Sequence, residues 1–433
     1  MSFIPNFNFV EELRWRGLLH DITPETENLL ATEMVNGYIG FDPTADSLHI
    51  GNMVPITLLI HFQKAGHKPI ALVGGATGMV GDPSGKTDER KLLDIETLNH
   101  NLECQKNQLR RFLNFETGEN KAEMVNNYDW FKNFGFLEFI RDVGKHITVN
   151  YMMGKDSVKN RLETGGMSFT EFSYQLVQGY DFLHLYQHYN CKLQMGGSDQ
   201  WGNITTGTEL IRRKASGDAY AITAPLITKS DGTKFGKSEG GNIWLDANKT
   251  SPFKFYQFWL NVSDEEAIKF IKIYSLKSKV EIETLIDTHP GNEYLRRIQN
   301  ALAEEMTMRV HGAENLQMAL KATQIFFGNG SKEDLLSLNK IAMENALDGL
   351  EKYTITRDDL KTGIPLLTLL TEQTQIFSSK GEAKKMIQSN GFSINKEKYT
   401  EIEGIINQDF LLHNRYILAQ KGKKNYYVIE ISQ

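Results

Sequence analysis

Two short segments, far apart in the chain, carry residue types suited to handling phosphate. The first is His49-Ile50-Gly51-Asn52, which closes the stretch GFDPTADSLHIGN. A glycine there lets an anion approach the backbone where a helix begins, and helix N-termini favour negative charge. His49 and Asn52 add side-chain donors from the same turn. The second is Lys234-Phe235-Gly236-Lys237-Ser238. Two lysines three apart can close on a polyphosphate and offset charge that grows on a leaving group. Two commoner phosphate fingerprints fail. GDPSGKT (81–87) ends like a P-loop, but Val80 stands where that motif needs its first glycine. The glycines at 74–81 have no G-x-G-x-x-G spacing, so a nicotinamide enzyme is disfavoured.

These residues need elements to hold them. KPIALVGGATG (68–78) reads as a buried strand entering a Gly-rich turn, and CKLQMGGSDQWGN (191–203) as a strand, a Gly-rich loop and a helix. The first 225 residues alternate such runs with amphipathic stretches, which predicts an α/β domain. Residues 115–165 read as more helical and include the apolar FGFLEFI, while 226–249 read as a mobile loop. After Pro252 the pattern turns helical, with Leu295, Ile298, Leu302, Met306 and Val310 on one face. Residues 250–330 are expected to form a helical domain, 331–362 a linker, and 363–433 a small mixed domain with a helix, a Gly turn and a hairpin.

Composition sets the bounds. The chain has 433 residues, 40% hydrophobic and 24% charged, enough for two to four domains. Its net charge of −6 gives no global signal for nucleic acid. Two cysteines, Cys104 and Cys191, form neither a disulfide framework nor a thiolate zinc site, and they fit a reducing compartment. No window has the ~20 consecutive apolar residues needed to span a bilayer. A cytoplasmic protein is expected.

Taken together and in order, the two segments resemble the HIGH and KMSKS signatures of class I aminoacyl-tRNA synthetases. YIGFDPTADSLHIGN, LVGGATGMVGDPSGK, SFTEFSYQLVQGYDFLHLY and LQMGGSDQWGNI narrow the likeness to the bacterial-type tyrosyl-tRNA synthetases. The C-terminal SKGEAKKMIQSNGFSIN is similar to the S4-like RNA-binding module of that family. The resemblance implies a doubly wound parallel Rossmann-like catalytic domain (1–225), then an α-helical domain and a small α+β S4-like domain. It implies that L-tyrosine and Mg·ATP form tyrosyl-adenylate, and that tyrosine then passes to the terminal adenosine of tRNA(Tyr). The substrate carboxylate is the nucleophile, so positioning and charge stabilisation suffice.

Matched by motif, Tyr38 and Asp181 would meet the tyrosine hydroxyl, and Asp82, Tyr174 and Gln178 its ammonium group, with Gln200 near the carboxylate. Gly40, Asp42, Gly196 and Asp199 would line the nucleotide site, with His49, Gly51, Asn52 and Thr44 at the phosphates. Lys86, Arg90, Lys234, Lys237 and Ser238 would grip the pyrophosphate end. The resemblance also implies a homodimer, with FGFLEFI in its interface, no protein-ligated metal, and neither DNA nor membrane as a partner. Asn52 replaces the second His of HIGH, and Ile39 stands where many members have a ribose-contacting Cys. A tryptophan-specific relative and a non-catalytic RNA-binding paralogue are the rival readings. Tyr38 with Asp181 argues against the first, and the intact second signature against the other.

Overall fold

A computed structural model describes residues 3–84, 93–164, 166–228, 235–238, 241–328, 330–338, 340–347, 350–422 and 425–432. The chain divides into two units. The first comprises Met1–Asp246 with Val262–Leu302, the second Ala247–Asn261 with Ala303–Gln433.

The first unit is built on a six-stranded sheet: β1 (Asp21–Ile22), β2 (Asn36–Phe41), β3 (Lys68–Val73), β4 (Glu123–Asn126), β5 (Cys191–Gly197) and β6 (Tyr220–Ala224). The spatial order is β1-β6-β5-β2-β3-β4, and every neighbouring pair is parallel except β1 with β6. KPIALV and CKLQMGG are apolar on both faces because helices cover both faces, as a central parallel strand requires. The chain runs outward from β2 through β3 to β4, then returns to place β5 on the other side of β2. The order therefore reverses between β2 and β5, and a crevice at the carboxyl ends of strands forms at such a reversal.

Three helices frame that crevice. α1 (Met53–Lys64) follows the His49–Asn52 turn and buries Ile56, Leu58, Leu59 and Phe62. α2 (Phe169–Tyr189) starts at a Ser168/Glu171 capping box and ends at Asn190 in the left-handed region. Glu171 also pairs with buried Arg161, so losing either partner strands a charge and costs about 3–5 kcal/mol. α3 (Trp201–Ala215) leaves the end of β5 through a single turn, Ser198–Gln200. The expected strands at 68–78 and 191–203 are therefore present, each entering a glycine-rich turn. The segment expected to be helical from residue 115 also supplies β4 before its helices begin.

The second unit holds helix Pro252–Leu260 and a five-stranded sheet. Its strand order is Glu397–Lys398, Phe392–Ile394, Tyr416–Lys421, Asn425–Ser432, Glu351–Thr356. Only the last pairing is parallel. Helix Lys380–Gln388 and the Phe392–Ile394/Glu397–Lys398 hairpin match the helix–turn–hairpin read from sequence.

The division differs from the expected boundaries in two ways. Residues 262–302 group with the first unit. Residues 331–362, read as a linker, hold helix Lys332–Ser337 and strand Glu351–Thr356, and their Leu335, Leu338, Ile355 and Leu360 are core. Burial of each such side chain contributes about 1.5–3 kcal/mol, so this segment is a structural part of the unit. The face read at Leu295–Val310 is buried from Ile298 to Val310, but Leu295 lies outside the helix and is partly exposed.

Candidate active site

The deepest part of the crevice is a closed set of polar groups around Asp181. Tyr38 lies on β2, Cα-paired with Ile70 and Gln194, and is 1% exposed. Its ring packs edge-on against Phe182, 5.4 Å between centroids. The Tyr38 hydroxyl has no hydrogen-bond partner among the described residues, nor has the buried Oε1 of Gln194. On α2, Tyr174, Gln178 and Asp181 follow at helical spacing and share a face. The Asp181 carboxylate accepts from Asn127 Nδ2 at 3.1 Å and from Trp130 Nε1 at 2.9 Å. Burial pushes this carboxyl up to about 8, with the charge of Asp42 adding to the rise and the two donors opposing it. Burial, and then the charge of Asp181, raises the Tyr38 phenol well above its ordinary range.

A second layer lies toward the strand ends. Asp42 accepts from Tyr174 Oη at 2.9 Å and from Thr77 Oγ1 at 2.7 Å. Asp82 accepts from the Ser84 N–H at 2.9 Å and from Gln200 Nε2 at 2.7 Å. Asn203, one turn into α3, reaches Asp82, Ser84 and Gln200 at 3.3–3.4 Å. Two carboxylates thus accept hydrogen bonds from neutral donors in this layer. Gln178 is half-buried on the same helix face as Tyr174.

The His49–Asn52 turn has a different construction. His49 Nδ1 accepts from the Gly51 N–H at 3.0 Å, and Asn52 Oδ1 accepts from the His49 N–H at 3.0 Å, a reciprocal cap on the turn that leads into α1. A Cβ on Gly51 would stand 2.7 Å from the His49 ring, so this cap excludes any other residue there. With its oxygen in the cap, Asn52 keeps its amide nitrogen as a donor. Gly40 is the exposed residue of an otherwise covered β2, and Thr44 is exposed just beyond it. Gly196 is buried near the end of β5, and Asp199 sits in the turn that follows.

The second signature meets the first through backbone. Ile243 N–H donates to the Gly236 carbonyl at 3.0 Å, and Ile50 N–H donates to the Ile243 carbonyl at 2.8 Å. Trp244 lies edge-on to His49 at 6.0 Å. The backbone of Lys237–Ser238 pairs with Gly241–Asn242 in a two-residue ladder. Lys86, Arg90 and Lys234 lie outside the described residues, as does part of the expected loop at 226–249.

Residues 31–328 match the family "tRNA synthetases class I (W and Y)", and 342–429 match the "Tyrosine--tRNA ligase SYY-like C-terminal domain". The chain is 57% identical over 426 residues to a tyrosine–tRNA ligase of Parabacteroides distasonis, covering 98% of this chain and 99% of the relative. The chain belongs to the class I tyrosine–tRNA ligases. A second such relative, from Cytophaga hutchinsonii, is 58% identical over 98% of this chain and all of its own length. Among solved structures, a C-terminally truncated mitochondrial tyrosyl-tRNA synthetase of Aspergillus nidulans is 31% identical. It superposes with a TM-score of 0.67 over 74% of this chain and 94% of its own.

Set beside the tyrosine–tRNA ligase motifs, the structure joins Asp42, Tyr174 and Asp181 in one network, with Tyr38 against it, and Asp82 and Gln200 in a second. It also adds residues that the motifs did not single out: Thr77, Asn127, Trp130 and Asn203. Asn127 is wholly buried and links Asp181, Thr77 Oγ1 and the Ala76 N–H, so it ties the GGATG turn to α2. Trp130 is held by a stack on His184, 4.4 Å between centroids. For Thr77 and Asn203 the available signal was their position, on the first turn of a helix that follows a glycine-rich loop. Ile39, at the cysteine position, is simply core.

Proposed function

We propose that this tyrosine–tRNA ligase reads the phenol of L-tyrosine with Tyr38 and Asp181 and performs activation at the mouth of the β2/β5 crevice. The observation that carries the reading is the buried Tyr38 hydroxyl, which has no partner among the described residues, beside a carboxylate already anchored by two donors. A phenolic O–H entering this space completes both groups, whereas phenylalanine leaves both unsatisfied at about 1–3 kcal/mol each. The ammonium group would then face Asp82, Tyr174 and Gln178, with Gln200 near the carboxylate. Gly40, Asp42, Gly196 and Asp199 would line the nucleotide.

In the reaction, a tyrosine carboxylate oxygen bonds to the α-phosphorus of ATP as the bond to pyrophosphate breaks. Charge grows on the leaving oxygens and on the α-phosphate, where Thr44, His49 and Asn52 would offer donors and Gly51 would let the phosphate approach the backbone. Lys86, Arg90, Lys234, Lys237 and Ser238 would hold the pyrophosphate, with Mg²⁺ carried in by ATP. A hydroxyl of the terminal adenosine of tRNA(Tyr) next attacks the tyrosyl carbonyl, and AMP leaves. The S4-like C-terminal unit would bind that tRNA.

We read the assembly as a symmetric homodimer. The inserted segment exposes Phe136, Leu137 and Ile140, and Phe136 and Ile140 line, with Phe139, Met152, Phe169 and Leu176, a cavity of about 500 Å³. An apolar patch of this kind marks an interaction surface, and a two-fold interface would cover it. No described helix is long and apolar enough to cross a membrane, and both cysteines are free, which suits the cytoplasmic placement read from sequence. Tyrosine-dependent exchange of pyrophosphate into ATP tests the activation reading. It should occur with tyrosine and not with tryptophan or phenylalanine, and equal exchange with phenylalanine would sink the Tyr38–Asp181 assignment.

A further inference from the structure

Phe235 is the apolar residue inside the second signature, and its surroundings are unusually well fixed. Its ring is 7% exposed and lies 4.5 Å from the ring of Phe270 and 5.6 Å from that of Tyr274, nearly parallel to the latter. Phe270 and Tyr274 stand four apart on helix Asp264–Tyr274, both essentially fully buried. That helix is held at both ends. Ser263 and Glu266 cap its start. Beyond its end, the buried Arg16 guanidinium donates to the carbonyls of Lys272, Ser275 and Lys277 at 2.6–2.8 Å.

On its other side the anchor continues into backbone. Gly236 has φ +88°, and a Cβ there would stand 2.3 Å from Ile50 Cγ2, so the chain lies directly on the first signature. The strand-like segment Ile243–Leu245 bonds to Gly236 on one side and to Leu48 and Ile50 on the other. Lys237 follows two residues after the anchored ring.

We propose that Phe235 is a positioning residue: its ring, seated against Phe270 and Tyr274, fixes the Gly236–Lys237 backbone against the Ile50–Gly51 turn, so that phosphate-directed chemistry depends on it. Displacement of a preorganised charge by ~1 Å is enough to cost ~100-fold in rate, so an anchor this close to a phosphate-directed lysine controls turnover. The proposal rests on the reading of Lys237 as a cation for the pyrophosphate end of ATP. Tyrosine binding is insulated from the anchor, because the groups around Asp181 sit on other elements.

The test compares Phe235→Ala, Phe235→Met, Lys237→Ala and the double variant Phe235→Ala/Lys237→Ala in the full chain. Single-turnover adenylate formation, the KM for ATP and the Kd for tyrosine are measured on each. Phe235→Ala should slow activation at least ~10-fold and raise the KM for ATP, with tyrosine Kd within ~2-fold of the parent. Phe235→Met, which refills the same apolar seat, should recover most of the rate. Because the anchor acts through Lys237, the double variant should be no slower than Lys237→Ala alone. A normal rate in Phe235→Ala beside a slow Lys237→Ala overturns the anchor while leaving the lysine reading intact. A normal rate in Lys237→Ala overturns both. Strictly additive losses, or a tyrosine Kd that weakens in step with the rate, show a general structural role and overturn the proposal.

Discussion

The Asp181 end and the Asn52 end of the crevice, which we propose take tyrosine and phosphate respectively, are built in opposite ways. Around Asp181 the contacts are side chain to side chain and buried, they draw on four separate elements, and the Tyr38 hydroxyl beside them is left without a partner among the described residues. Around Asn52 they are short-range, within one turn, and largely between side chain and backbone. Gly40 and Thr44 remain exposed there. A neutral phenol differs from its nearest competitor by one hydroxyl, so discrimination needs a dry cavity where a missing bond is costly. A triphosphate carries its own charge and is recognised by any well-aimed donor, so a capped turn at a helix start is sufficient.

The sharpest way to break this contrast is to remove Asp181. Asp181→Ala leaves Trp130 Nε1 without this acceptor and Asn127 Nδ2 with Thr77 alone, and kcat/KM for tyrosine in pyrophosphate exchange should fall by the equivalent of about 3–5 kcal/mol. The KM for ATP should stay within about 2-fold if the two ends are independent. A comparable loss in both substrates would show that they are one network.

Asn203 probes the middle of the crevice. Asn203→Ala withdraws the donor shared by Asp82, Ser84 and Gln200, and the expected cost is about 1–3 kcal/mol, read as a higher KM for tyrosine. If the change appears in the KM for ATP instead, Asp82 and Gln200 belong to the nucleotide side.

At the phosphate end the expected effects are smaller and fall on turnover. Asn52→Ala loses both the cap and the free donor, about 1–2 kcal/mol in single-turnover activation. Asn52→His should remain within ~10-fold of the parent, because a neutral imidazole accepts through one nitrogen and donates through the other. A full rate in Asn52→Ala would reduce Asn52 to a turn residue. The smallest effect belongs to Thr44, which is exposed and has one backbone bond, from its N–H to the Asp42 carbonyl at 2.8 Å. Thr44→Val should raise the KM for ATP by no more than about 5-fold, near 1 kcal/mol, and leave tyrosine binding unchanged.

Legibility from sequence follows the same physical divide. β3 and β5 were readable because both of their faces are covered, and the signature turns because their chemistry is local. Asn127 and Trp130 were not, since their partner Asp181 comes about fifty residues later and nothing near them specifies it. Segment 331–362 read as a linker because Glu351–Thr356 is an edge strand with mostly exposed residues. Its only neighbour among the described strands, Asn425–Ser432, lies some seventy residues further on. Local pattern reveals a strand when its environment is symmetric, and hides it when a single distant partner defines it.

That late partner bears on how the protein emerges from a ribosome. The strands of the first sheet are all synthesised by Ala224, yet their unit also needs Val262–Leu302. At about 5–20 residues per second the wait is of order 4–16 s. In the second unit the wait lasts until Asn425–Ser432 is made. Asn425–Ser432 sits between Tyr416–Lys421 and Glu351–Thr356 and is the one strand that joins them. Until it is translated, Glu351–Thr356 has no strand to pair with, and the apolar side chains meant for that core stay uncovered. A nascent chain stalled before Asn425 would therefore present an open strand edge, a target for chaperones and for aggregation alike.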